Sequence, residues 1–172
     1  VGRGYIVRAP GGWSTTNSTF TANFVGVPNN GTITRPITRW TYTGGNTTGP
    51  TSTPVTANDD NWNLLGNPYP SAISADAFLT ANFTHINPFL DLWKHGNAPA
   101  AITDPFYQDY QLNYNPNDYL RYNRLGGTQS GFDGKIGAGQ GFFVLMRDAG
   151  ATTENAIFNN SMRSNTHRND QF

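Results

Sequence analysis

Cysteine is absent from the 172 residues, which excludes disulfides, thiolate metal sites and cysteine redox chemistry. Charge is scarce as well. Charged side chains make up 13% of the chain, against about 25% in ordinary globular proteins. The only lysines are Lys94 and Lys135, and Glu154 is the only glutamate. The formal net charge is +0 and there is no basic block, so the footprint of a nucleic-acid or anionic-lipid binder is missing. No apolar run approaches the roughly 18 residues of a membrane-spanning helix. There is no signal-peptide pattern, and the polar stretch from Asn165 to Phe172 carries no stop signal. Both ends are therefore expected to be cut from a longer chain.

Asn, Thr, Ser and Gly fill the surface that charge leaves vacant. These residues compete locally for backbone hydrogen bonds and favour turns and short strands over helices. Strands are expected at Gly4–Ala9, closed by Pro10-Gly11-Gly12, and at Thr19–Val25, which alternates apolar and polar residues. Pro28-Asn29-Asn30-Gly31 reads as a hairpin turn, because Asn-Gly adopts the positive φ angles of a type I′ turn. Its return strand would run from Thr32 to Thr43, with Pro36 confining part of it to an edge. Residues 44–60 read as an exposed loop. Further strands are expected at Phe89–His95, Tyr119–Asn123, Phe142–Met146 and Ala156–Phe158. The whole, residues 1–172, is expected to form a single all-β domain: an antiparallel β-sandwich or jelly-roll-like fold with one short helix.

The most informative stretch is Trp62-Asn63-Leu64-Leu65-Gly66-Asn67-Pro68-Tyr69-Pro70-Ser71-Ala72-Ile73-Ser74-Ala75-Asp76-Ala77-Phe78. It spells a strand, a sharp turn and a capped helix. Pro68 and Pro70 hold the residues before them out of the helical region. Ser74 is placed to N-cap a helix whose first turn carries Asp76, favourable for the macrodipole. The passage resembles a module of exported surface proteins of Bacteroidota, cargo of the type IX secretion system. Gly2-Arg3-Gly4-Tyr5, Leu90-Asp91-Leu92-Trp93-Lys94-His95, Gly137-Ala138-Gly139-Gln140-Gly141-Phe142-Phe143-Val144 and Phe158-Asn159-Asn160-Ser161-Met162-Arg163 extend the likeness in the same order. The resemblance implies an extracellular, cell-surface location, with the type IX machinery and other surface proteins as partners. It implies no catalytic residues.

Chemistry-bearing constellations are few. Asp91, Asp104, Asp109 and Asp118 are the aspartates a glycosidase-like pair would draw on, yet loop aspartates ordinarily serve as turn and cap residues. His85, His95 and His167 lack metal-ligand spacing. Gly137–Gly141 is superficially like a phosphate loop but precedes an apolar strand rather than a helix. Oxygen-rich Asn58-Asp59-Asp60-Asn61 and the Asp104–Asp118 region leave calcium as a weak expectation. Sequons at Asn17, Asn30, Asn46, Asn82 and Asn159 follow from the composition. The better lead is aromatic. Trp13, Trp40, Tyr42 and the tyrosines Tyr107, Tyr110, Tyr114, Tyr119 and Tyr122 sit among Asn, Gln and Asp, as sugar-binding surfaces require. The same pattern also suits tyrosines that line the rim of a β-core. Two functions follow as expectations. One is a non-catalytic module for adhesion or display. The other is a carbohydrate-binding module, or an accessory domain of a polysaccharide-degrading enzyme, using Tyr107 to Tyr122.

Overall fold

The computed structural model describes residues 1–6, 21, 23, 25–39, 47–48, 54–55, 61–94, 118–124, 126–127 and 132–166. In chain order the strands are β1 (Ile33–Thr38), β2 (Thr47–Thr48), β3 (Pro54–Val55), β4 (Trp62–Gly66) and β5 (Ile73–Ser74). After the helix α1 (Ala75–Ala81) come β6 (Ile86–Trp93), β7 (Tyr119–Asn123), β8 (Gly126–Gly127), β9 (Lys135–Ile136), β10 (Gly141–Met146) and β11 (Thr153–Phe158). A 3-10 turn follows at Asn160–Met162. The fold is all-β, and among the described residues there is one short α-helix and every strand pair is antiparallel.

The main sheet has five strands in the order β4-β10-β6-β7-β8. Its inner face follows from period-2 alternation. Leu65, Phe142, Val144, Leu90, Leu92 and Leu120 are buried there. Helix α1 and the β1–β11 ribbon cover that face. Phe78 of α1 sits 5.1 Å from Phe142 and 5.0 Å from Phe158, ring centre to ring centre. Ser74 caps α1 as its sequence position requires, its hydroxyl accepting from the Ala77 N–H at 3.2 Å. At the other end the Asn82 side chain behaves like one more strand residue beside β11: its Nδ2 donates to Ile157 O and its Oδ1 accepts from Ile157 N. Asn82 is buried, so that sequon offers no accessible amide.

The Asn30-Gly31 hairpin is not formed. β1 pairs with β11, Ile33 opposite Phe158 and Thr38 opposite Thr153. Thr21, Asn23 and Val25, the described residues of the expected partner arm, are exposed and lie in no strand. The turn docks instead against the signature loop. Gly31, at φ +81, has its N–H held by Asn160 Oδ1 at 3.0 Å and its carbonyl by the Tyr69 hydroxyl at 2.6 Å. Asn29 Nδ2 donates to Pro68 O, and Arg163 donates to Asn30 Oδ1 and Ser71 Oγ. Pro36 does sit on an edge. The backbone N–H and C=O of Thr38 are both bound by the Asn63 side chain, so Thr38, and Pro36 two residues earlier, face away from β11 where no ladder donor is needed.

One further expectation changes. Gly4, Tyr5 and Ile6 are not strand; a single bridge joins Arg3 to Leu65 along the β4 edge. Residues 7–9 lie outside the described residues. Within 44–60, β2 and β3 form a short ladder, Thr47 opposite Val55, and the rest of that segment is also outside them. The turn between β9 and β10 is closed by Gln140, whose side chain accepts from the Gly137 N–H at 2.8 Å, so the glycine run serves a turn into β10.

Candidate functional site

The outer face of the main sheet is apolar and aromatic where a solvent-facing sheet would ordinarily be polar. The alternation that buries Phe142 and Val144 turns Phe143 outward; likewise β6 turns Phe89, Asp91 and Trp93 outward and β7 turns Tyr119 and Arg121. Register then assembles a row across four strands. Leu64 lies opposite Phe143, Phe143 opposite Asp91, and Asp91 opposite Arg121. Three strand spacings make that row about 14 Å long.

Asp91 and Arg121 form a two-pronged ion pair. Nε donates to Oδ1 and Nη2 to Oδ2, both at 2.8 Å, the planar geometry that makes arginine–carboxylate pairs strong. The Asp91 side chain is 8% exposed and that of Arg121 47%. Those hydrogen bonds raise the guanidinium's pKa above its ordinary value, burial opposing and the Asp91 charge assisting. The guanidinium also lies over the Phe89 ring at 4.2 Å and within 6.0 Å of Trp62. At the other side Tyr119 meets Trp93 and Phe143 edge-on, at 4.7 Å and 5.7 Å. Trp62, Asp91, Tyr119, Arg121 and Phe143 together line a groove of ≈ 400 Å³, within the range of small-ligand sites.

The two described tyrosines of the expected aromatic site are separated by the sheet. Tyr119 is 42% exposed on the outer face. Tyr122, three residues on, is 8% exposed on the inner face; its hydroxyl donates to Asp76 Oδ1 at 3.1 Å and its ring packs edge-on against Phe132. Burial first, then the Asp76 hydrogen bond and the charges of Asp76 and Asp133, raise its pKa above 10.0. Tyr107, Tyr110 and Tyr114 lie outside the described residues, as do Trp13, Trp40, Tyr42, His95, His167, Asp104, Asp109 and Asn58–Asp60. Trp62, Phe89, Arg121 and Phe143 were not legible as a site from the sequence, although strand parity at Phe142-Phe143 was the available signal.

Among the described residues no group of three or more His, Asp or Glu is placed to hold a metal ion. His85 faces Glu154 at 3.6 Å, and Asn61 Nδ2 donates to Asp148 Oδ1. No helix of the described residues is long and apolar enough to cross a membrane.

A family model described as a domain of unknown function (DUF8693) matches residues 1–172. No curated protein and no solved structure matches the chain.

Proposed function

We propose that this chain, which belongs to the DUF8693 family, is a non-catalytic glycan-binding module of an exported cell-surface protein, serving adhesion. The observation that carries the reading is the groove in which aromatic rings surround the Asp91–Arg121 pair. Sugars offer C–H faces to rings and hydroxyls to charged and amide groups, and such a groove provides both. A non-catalytic role suits an Asp91 carboxylate that is already bound at both oxygens by Arg121, since a general acid or base must be free to exchange a proton. Export to the outer surface, with the type IX machinery as partner, rests on the motif likeness to Bacteroidota cargo.

Retention on immobilised polysaccharides tests the binding role. Wild-type protein should be retained by at least one glycan, and Trp62→Ala and Phe143→Ala should lose that retention while keeping the wild-type circular dichroism. A folded wild-type protein that passes through the whole panel would end the reading. Detection of the parent protein only in the cytoplasm would end the proposal of export.

A display or spacer role is the second reading, and one observation favours it. The residues that carry the likeness, among them Asn67, Tyr69, Ser71, Asn160 and Arg163, bond to one another and to the Asn30-Gly31 turn. Their common property is architecture.

A further inference from the structure

Resting on the glycan-binding reading, we infer that the groove takes a single uncharged, soluble glycan chain, excluding acidic sugars and flat crystalline polysaccharide surfaces. Two features of the outer face lead there, one electrostatic and one geometric.

The electrostatic feature is that Arg121, the cation lining the groove among the described residues, is matched by the anion beside it. Arg121 gives two hydrogen bonds to Asp91, whose side chain is 8% exposed. A uronate or sulfate arriving at Arg121 would compete with Asp91 for the guanidinium. Winning would leave a buried carboxylate without its partner, which is strongly unfavourable. Stopping short would place two anions side by side. A neutral pyranose meets neither penalty. It stacks its C–H face on a ring and leaves the ion pair intact.

The geometric feature is the orientation of the rings. Of the rings that line the groove, Tyr119 stands at 72° to Phe143; behind them, Trp93 stands at 82° to Tyr119 and Phe89 at 61° to Trp62. A crystalline surface needs rings lying in one plane so that several touch it at once. Rings set across one another form walls, and walls enclose one chain. The groove of ≈ 400 Å³ agrees with a short stretch of such a chain.

The deciding experiment presents three kinds of probe to the whole chain. Soluble neutral polymers (laminarin, xylan, mannan, dextran) and soluble acidic ones (alginate, polygalacturonate, chondroitin sulfate) are read by affinity electrophoresis. Microcrystalline cellulose is read by pull-down. The expected result is retardation by a neutral polymer that persists when NaCl is raised to about 0.5 M, where screening leaves only a few ångströms of reach. Trp62→Ala should weaken that interaction about tenfold or more. Asp91→Asn, which removes the Asp91 charge from beside Arg121, should gain retardation by the acidic polymers. Should that variant fail to fold, the wild-type panel still decides. Retardation by acidic polymers alone, lost in salt, would overturn the inference and leave glycan binding standing. Depletion by cellulose would do the same. Retention by no probe of any kind would remove glycan binding itself, and this inference with it.

Discussion

Asn67 is 5% exposed, and its side chain closes the signature loop from inside. Its Nδ2 donates to Ser71 O at 2.9 Å, Ile136 O at 3.1 Å and Gly137 O at 2.9 Å, while its Oδ1 accepts from Tyr69 N at 3.0 Å. Replacement by alanine removes the side-chain donor from Ser71 O and Ile136 O and the acceptor from Tyr69 N, while Gly137 O keeps the Gln140 N–H. Asn67→Ala should lower the unfolding free energy by about 3 kcal/mol, read from the urea midpoint. Asn67→Asp should cost as much at neutral pH, because a carboxylate keeps the shape and the acceptor but donates nothing. A carboxylate variant as stable as wild type would show that volume, not donation, is what the loop needs. The motif stands out in sequence because its residues have few substitutes. Its purpose was not legible, since three of its partner groups, on Gly31, Ile136 and Gly137, lie far along the chain.

At the scale of elements, local pattern and remote pairing part company. β4, β6, β7, β10, β11 and the capped helix α1 were legible because alternation, proline and an N-cap are properties of neighbouring residues. The expected hairpin fails for the complementary reason. Asn-Gly specifies that the chain bends, whereas the partner of β1 is decided by Phe158, Ala156 and the Asn160 side chain that holds Gly31, more than a hundred residues away. The expected tyrosine site divides through parity. Tyr119 and Tyr122 differ by three positions, so a strand places them on opposite faces, and one of them belongs to the core. The β4 edge supplies the prediction at this scale. Gly4 N donates to Leu64 O at 3.2 Å and Gly66 N to Gly2 O at 2.9 Å. A Cβ on Gly4 would stand 2.5 Å from Leu64 Cγ and 2.6 Å from Leu65 O. Gly4→Ala should therefore lift the amino-terminal segment off the edge, with a loss of about 1–2 kcal/mol and faster hydrogen exchange at the Gly66 amide. Gly26→Ala, where nothing lies within 4 Å, should stay within about 0.5 kcal/mol of wild type. Unaltered exchange at Gly66 in the Gly4 variant would mean the bridge contributes nothing.

Across the whole molecule, the inner face of the main sheet buries the core and the outer face carries the groove proposed to bind glycan. Two phenols tie the fold together across long stretches of sequence. The Tyr69 hydroxyl holds the Asn30-Gly31 turn, and that of Tyr122 joins β7 to the first turn of α1. Burial raises the pKa of Tyr69 above 10.0, with Arg163 pulling the other way, and burial together with Asp76 raises that of Tyr122. The folded state thus favours the neutral phenols. Their contribution to stability is complete below the ordinary value of 10.0 and is lost as pH rises through the raised folded values. Urea midpoints should accordingly hold level below that value and fall above it. Tyr122→Phe should start about 1 kcal/mol lower at neutral pH, from the lost hydrogen bond, and decline less steeply in alkali, since one of the two linked titrations is gone. A decline as steep as that of wild type would assign the alkaline loss to groups other than Tyr122, and would separate the tie between β7 and α1 from the molecule's response to pH.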